Sequence, residues 1–193
     1  MWVYEMNDQT EQVRGDMRVE YAVAQLLAIL ARPLRFKNNA ALLGDHSADR
    51  LSVITATARR ITCGDAPPPL SSHRVFALDI DALVRKAADS GVISRRLNDL
   101  FETLGKPLER NILFVDNLHY LVGADMRRYP LDAAPLLKSA LGHHKFQVMG
   151  ALTLREYHIY IECDAALQRR FQHVFMDASA PGSPSSDGRG GRG

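Results

Sequence analysis

The stretch Asn111-Ile112-Leu113-Phe114-Val115-Asp116-Asn117 sets a carboxylate and an amide side by side behind a run of apolar residues. Such a run closed by an aspartate describes a buried strand with its acid at the C-terminal tip, the end of an open α/β sheet where ligands bind. This is the form of a nucleotide-hydrolysis strand, with Asp116 placed to hold a magnesium ion. A second acid directly after it would orient an attacking water. Position 117 is instead asparagine, whose amide can hold a water but cannot take its proton. The motif offers metal binding without a general base. The plainer reading is that Asp116 caps and hydrogen-bonds at a strand end.

Short β-branched runs alternate with longer helical stretches, the pattern of a parallel sheet covered by helices. Strands are expected at 40–43, 75–79, 111–116, 146–152 and 173–177. Helices are expected at about 16–31, 48–63, 92–104, 131–141 and 154–170, the last interrupted. Asp45 or Ser47 is placed to cap the helix that starts near Ala48. Residues 1–15 read as an N-terminal extension. Residues 178–193, almost devoid of side chains that could be buried, read as a disordered Gly/Ser/Arg tail.

Several ordered strings closely resemble the first ATPase domain of the Clp-type AAA+ unfoldases and disaggregases, including the type VI secretion member of that group. They are Lys37-Asn38-Asn39, Gly64-Asp65 with Pro67 and Leu70, Ala77-Leu78-Asp79, and Leu118-His119 with Leu121-Val122-Gly123-Ala124. Asp132-Ala133, Leu136-Leu137-Lys138, Ala140-Leu141, Gly150-Ala151, Thr153-Leu154 and Glu156-Tyr157 follow. The most specific are Tyr160-Ile161-Glu162, Asp164-Ala165-Ala166-Leu167 and Arg169-Arg170-Phe171-Gln172. The resemblance implies that 16–177 form a degenerate, truncated AAA+ large subdomain of the P-loop NTPase class. This is a three-layer α-β-α sandwich with a five-stranded parallel sheet in the order 5-1-4-3-2, without the family's helical small subdomain.

The resemblance also assigns positions. The family's P-loop, a glycine-rich loop with a Lys-Thr pair, falls on Gly44-Asp45-His46-Ser47-Ala48-Asp49-Arg50-Leu51, where only the first glycine survives. Side chains at 47 and 49 obstruct the close backbone approach to phosphates that glycine permits. Asp49 adds like-charge repulsion, and Arg50 replaces a compact ammonium with a planar fork. Leu51 removes the magnesium-ligating hydroxyl. The catalytic glutamate falls on Asn117 and the polar sensor on Thr153, which would otherwise be a strand-terminal threonine bonding the backbone. A vestigial nucleotide site is thus implied at Gly44, Arg50, Asp116 and Thr153.

Arg169 and Arg170 match the paired arginines that reach into a neighbour's nucleotide site, and could serve in trans; otherwise they are a solvated or salt-bridged helix end. The aromatic of the substrate-gripping pore loop falls on Asp89, which cannot grip apolar polypeptide as a ring does.

Other constellations carry less. His119 and the adjacent pair His143-His144 lack a third ligand at metal-binding spacing and read as surface or loop histidines. No G-x-S-x-G elbow positions a nucleophilic serine. A formal charge of +2 makes no case for nucleic acid or an acidic membrane. The apolar run 21–31 is too short to span a bilayer and contains Gln25. Two widely spaced cysteines, Cys63 and Cys163, and no signal peptide point to reduced thiols in the cytoplasm.

The leading expectation is therefore a catalytically inactive AAA+ domain with no cofactor. It would act as a monomer or weak oligomer through a protein partner, either an active Clp-type subunit or its client. The alternative is a weak ATP- and magnesium-binding component of a Clp-type unfoldase or secretion machine.

Overall fold

The computed structural model describes residues 2–6, 16–33, 37–87, 89–106, 109–124, 132–144 and 146–176. Its centre is a six-stranded sheet of β1 (Val3–Glu5), β2 (Asn39–Leu43), β3 (Arg74–Leu78), β4 (Asn111–Asp116), β5 (Gln147–Leu152) and β6 (Phe171–Phe175). The order is β1-β3-β4-β5-β2-β6. Five strands are parallel and follow the expected 5-1-4-3-2 order when counted from β2 and read from β6.

The count of five is corrected to six. Val3–Glu5, from the expected N-terminal extension, pairs antiparallel with β3. A two-bond Arg74–Glu5 ion pair ties that edge, with Glu5 Oε1 3.0 Å from Nε and Oε2 2.7 Å from Nη2.

Both faces of the sheet are covered, which is why the strands read as unbroken apolar runs. In β2, Ala40 and Leu42 face one core while Ala41 and Leu43 face the other; β4 alternates likewise through Ile112, Leu113, Phe114 and Val115. One core is closed by α1 (Met17–Leu30) and α2 (Ser47–Thr62). The other is closed by α3 (Ile80–Arg85), α4 (Ser90–Leu104), α5 (Leu118–Leu121) and α6 (Ala134–Gly142), with the segment after β5. That segment is broken, as expected. It comprises α7 (Leu154–Glu156), a π-helical stretch Tyr157–Glu162 and α8 (Ala165–Gln168), the last started afresh by Asp164 accepting from Ala166 N and Leu167 N.

Side-chain chemistry sets the starts of α1 and α3 but not that of α2. Asp16 caps α1 and Asp79 caps α3 by accepting N–H groups two and three residues on. Helix α2 begins at Ser47 with His46 as its cap residue and no side-chain cap bond, so neither Asp45 nor Ser47 plays the expected part.

The Lys37-Asn38-Asn39 string has a structural task at the opposite end of the strands. Asn39 Oδ1 accepts from Val148 N at 2.8 Å and its amide donates to Arg170 O at 3.1 Å. Gln147 donates to the Leu30 and Asn38 carbonyls at 2.9 and 2.8 Å. These bonds satisfy buried polar groups that packing alone would strand.

The expected tail 178–193, and Leu131 and Asp177 at element ends, lie outside the described residues. Among the described residues, no helix is long and apolar enough to cross a membrane.

Candidate nucleotide site

Strands β4, β5 and β2 are neighbours, so their C-terminal tips converge. Asp116 ends β4, Thr153 follows β5, and Gly44 follows β2, with Gly44 N donating to Leu152 O at 3.2 Å. Arg50 enters this group from the first turn of α2. Helical side chains lean toward the helix N-terminus, which carries the guanidinium back over the strand tips. Four of the expected residues are thereby brought together.

Arg50 is 3% exposed. Its Nη1 donates to the Gly44 carbonyl. Its Nη2 donates to Asn117 Oδ1 at 3.3 Å and lies 3.7 Å from Asp116 Oδ1. Its Nε is buried with no hydrogen-bond partner among the described residues. A charge this deep must be paired to remain, and here the pairing comes from the chain itself.

Asn117 adopts φ 51°, ψ 51°, the left-handed region that asparagine tolerates better than most side chains. Its N–H donates to Asp116 Oδ1 at 2.9 Å. The residue at the expected catalytic position is therefore a turn residue, with its side chain engaged by Arg50 and by Asp116, the latter at 3.4 Å.

Thr153 forms a capping box on α7. Its hydroxyl accepts from Glu156 N at 3.3 Å, and its own N–H donates to Glu156 Oε2 at 2.7 Å. Gly44 is pinned by close approach, since a Cβ there would lie 2.7 Å from Met176 Cγ. Met176, just past β6, donates its N–H to Leu43 O at 2.9 Å.

His119 belongs to the site, contrary to its reading as a surface or loop histidine. It is 4% exposed, with Nδ1 3.3 Å from Glu156 Oε2, and its ring stacks on Tyr160 with centroids 5.9 Å apart. Burial pushes its pKa below the usual histidine value; Glu156 and Asp116 oppose the shift and Arg50 reinforces it. The available signal was its place on the helix that starts straight after Asp116 and Asn117. His143 and His144 are exposed, as expected.

The remaining predicted positions lie elsewhere. Asp89 is the cap of α4, accepting from Val92 N at 2.9 Å in the connection from α3. Arg169 and Arg170 precede β6, whose first residue, Phe171, pairs with Asn39 at the start of β2. They are thus at the opposite end of the sheet from Gly44. Arg170 turns inward and donates to Leu141 O at the end of α6. Arg169 is exposed, with no side-chain partner among the described residues.

No protein-family model matches the chain. Whole-protein relatives do. The chaperone protein ClpB of Wolinella succinogenes is 39% identical over 155 residues, covering 80% of this chain and 18% of that protein. The chloroplastic ClpB2 of Oryza sativa subsp. japonica is 38% identical over 155 residues, covering 80% of this chain and 16% of its own length.

Solved structures agree. Hsp104 in a closed state with ATPγS and FITC casein superposes with a TM-score of 0.74 at 30% identity, covering 90% of this chain and 30% of that one. The S. cerevisiae Hsp104–ADP complex gives 0.73 at 31% identity, with the same coverage of 90% and 30%.

The chain is a homologue of the Clp-type AAA+ chaperones. It spans less than a fifth of the length of these curated relatives.

The residues of this Clp-type AAA+ domain do not fit a magnesium–triphosphate. Asp116 already faces a guanidinium, which a magnesium ion would have to displace. The carbonyl of Gly44 and the amide of Asn117 are taken by the same group. Ser47 and Asp49 are exposed residues of α2 where the loop would need glycines, and Leu51 presents a half-exposed apolar side chain where a hydroxyl would ligate the metal. Among the described residues no group of three His, Cys, Asp or Glu is placed to hold a metal ion.

Proposed function

We propose that this chain is a non-hydrolysing Clp-type AAA+ domain that works through protein contacts, docking beside an active Clp-type subunit. The observation that carries the reading is Asn117. Where the chemistry requires a carboxylate aimed at water, there is an amide held in a left-handed turn and bonded to Arg50. Loss of a positioned base lowers rate by roughly 10² to 10⁴. Two further features support it. Asp89 is occupied as a helix cap, and Arg169 stands exposed, with no side-chain partner among the described residues, at the end of the sheet remote from the chain's own site.

Calorimetry with ATP and a non-hydrolysable analogue, with and without magnesium, tests the first half. No heat of binding is expected. A dissociation constant at or below tens of micromolar would establish the weak ATP-binding alternative instead. Co-purification with an active Clp-type subunit tests the second half, comparing wild type with Arg169→Ala. Recovery unchanged by the substitution would discard the role of Arg169 in trans, and recovery of neither protein would discard the ring subunit in favour of a polypeptide client.

A further inference from the structure

We infer that Arg50 is an internal ligand of the vestigial site, a latch that closes Asp116 to divalent cations and holds α2 against β4 without any nucleotide. Three groups converge on one guanidinium: the Gly44 carbonyl after β2 and the Asn117 amide oxygen accept hydrogen bonds from it, and the Asp116 carboxylate at the tip of β4 forms an ion pair with it at 3.7 Å. A phosphate–magnesium pair would have to supply positive charge to Asp116 and negative charge to α2. Arg50 and Asp116 supply both to each other.

The burial is lopsided, and this makes the latch one-way. The Arg50 side chain is 4% exposed and that of Asp116 is 39% exposed. The guanidinium is shielded from water where it sits, whereas the carboxylate is partly open to it. An incoming cation therefore competes for an acid that is partly reachable, against a partner that cannot leave without stranding a buried charge. Among the described residues its Nε has no hydrogen-bond partner, which fits this picture: the fork sits where its Nη groups reach Gly44, Asn117 and Asp116, leaving that donor unsatisfied. The nearby charges are Glu156 on α7 and, when protonated, His119 on α5; Glu156 Oε2 accepts from Thr153 N and lies 3.3 Å from His119 Nδ1, so its charge faces the histidine.

The inference rests on the non-hydrolysing reading of the site, and its test separates the two. Manganese serves as the probe, through its paramagnetic broadening of backbone amide resonances. In the wild type no selective broadening of Asn117 and Leu118 is expected at submillimolar manganese. In Arg50→Met, which keeps the apolar stem and frees a partly exposed carboxylate, saturable broadening centred on Asn117 should appear. The gain in affinity should be at least about tenfold, since a close cation is removed. Arg50→Met combined with Asp116→Asn should lose it again.

Broadening in the wild type, or its absence from folded Arg50→Met, would overturn the latch. Should Arg50→Met not fold, the wild type decides alone. A slowly exchanging Nε–H of Arg50 supports the latch, and exchange at the rate of an exposed arginine overturns it. ATP turnover by the wild type would end the non-hydrolysing reading. Failure of the manganese test alone would end the latch and leave that reading standing.

Discussion

Gly150 sits in the fully buried strand β5, on the face covered by α5. A Cβ placed there would lie 2.5 Å from Leu118 Cδ2, 3.1 Å from its Cβ and 3.3 Å from its Cγ. Leu118 is itself 0% exposed, so its side chain has no open direction in which to retreat. Gly150→Ala should therefore destabilise by the usual cost of overpacking, about 1–3 kcal/mol. The lower entropy of the unfolded alanine chain offsets about 0.4–1 kcal/mol of this. For a chain of this size each kcal/mol is worth about 2–4 °C in Tm.

The decisive measurement is a double-mutant cycle by urea unfolding. Leu118→Ala alone leaves a cavity and should lose about 2–5 kcal/mol. In the double variant the new methyl enters the space that the leucine vacated, so the combined loss should fall short of the sum by more than about 1 kcal/mol. Additivity within about 0.5 kcal/mol would refute the contact. A Gly150→Ala variant as stable as wild type would do the same. Because Leu118 directly follows Asn117, the amide shift of Asn117 should move in Gly150→Ala and return toward its wild-type position in the double variant.

Three further outcomes are expected. Burial chiefly holds His119 and His73 below the usual histidine value, so the unfolded chain takes up their protons first. Stability is then full above about pH 6.5, declines as pH falls from there to the depressed values and levels off below them, with His119 adding a slope of up to about 1.4 kcal/mol per pH unit; a pH series of unfolding curves should be shallower for His119→Phe. Asp89→Ala should lose about 0.5–2 kcal/mol through the α4 cap while Asp89→Ser retains most of it, and equal losses in thermal melts would show that the cap is not the source. Asn117→Glu places a larger side chain at φ 51° and should lose about 1–2 kcal/mol, with phosphate release still at background because Arg50 continues to hold Asp116.

How far the chain could be read depended on which physical rule governed each part. The five parallel strands were legible because helices cover both faces, so nearly every strand residue must be apolar. Strand β1 was not, because a three-residue edge strand with Tyr4 exposed has no pattern of its own and exists through its pairing with β3. The break in the segment after β5 was legible, but its π-helical turn was not. At the site, Asp116 was legible from the apolar run it closes, and Gly44 and Thr153 from the phosphate-loop and sensor positions that the family resemblance assigned. His119 was missed because a lone histidine reads the same whether it is buried or exposed, and the Asp45 or Ser47 cap failed because propensity for a cap does not oblige a loop to offer it.

Some properties needed no coordinates. Leucine at 51 has no hydroxyl, asparagine at 117 has no carboxylate and aspartate at 89 has no ring; packing cannot add a functional group that the side chain lacks. The meaning of Arg50 is of the other kind. As a residue it is a positive charge near a possible phosphate site, and the sequence alone treats it as a poor lysine. Only the folded chain brings Gly44, Asp116 and Asn117 from separate elements onto its fork, because a buried charge is defined by what surrounds it and those neighbours are up to 67 residues away.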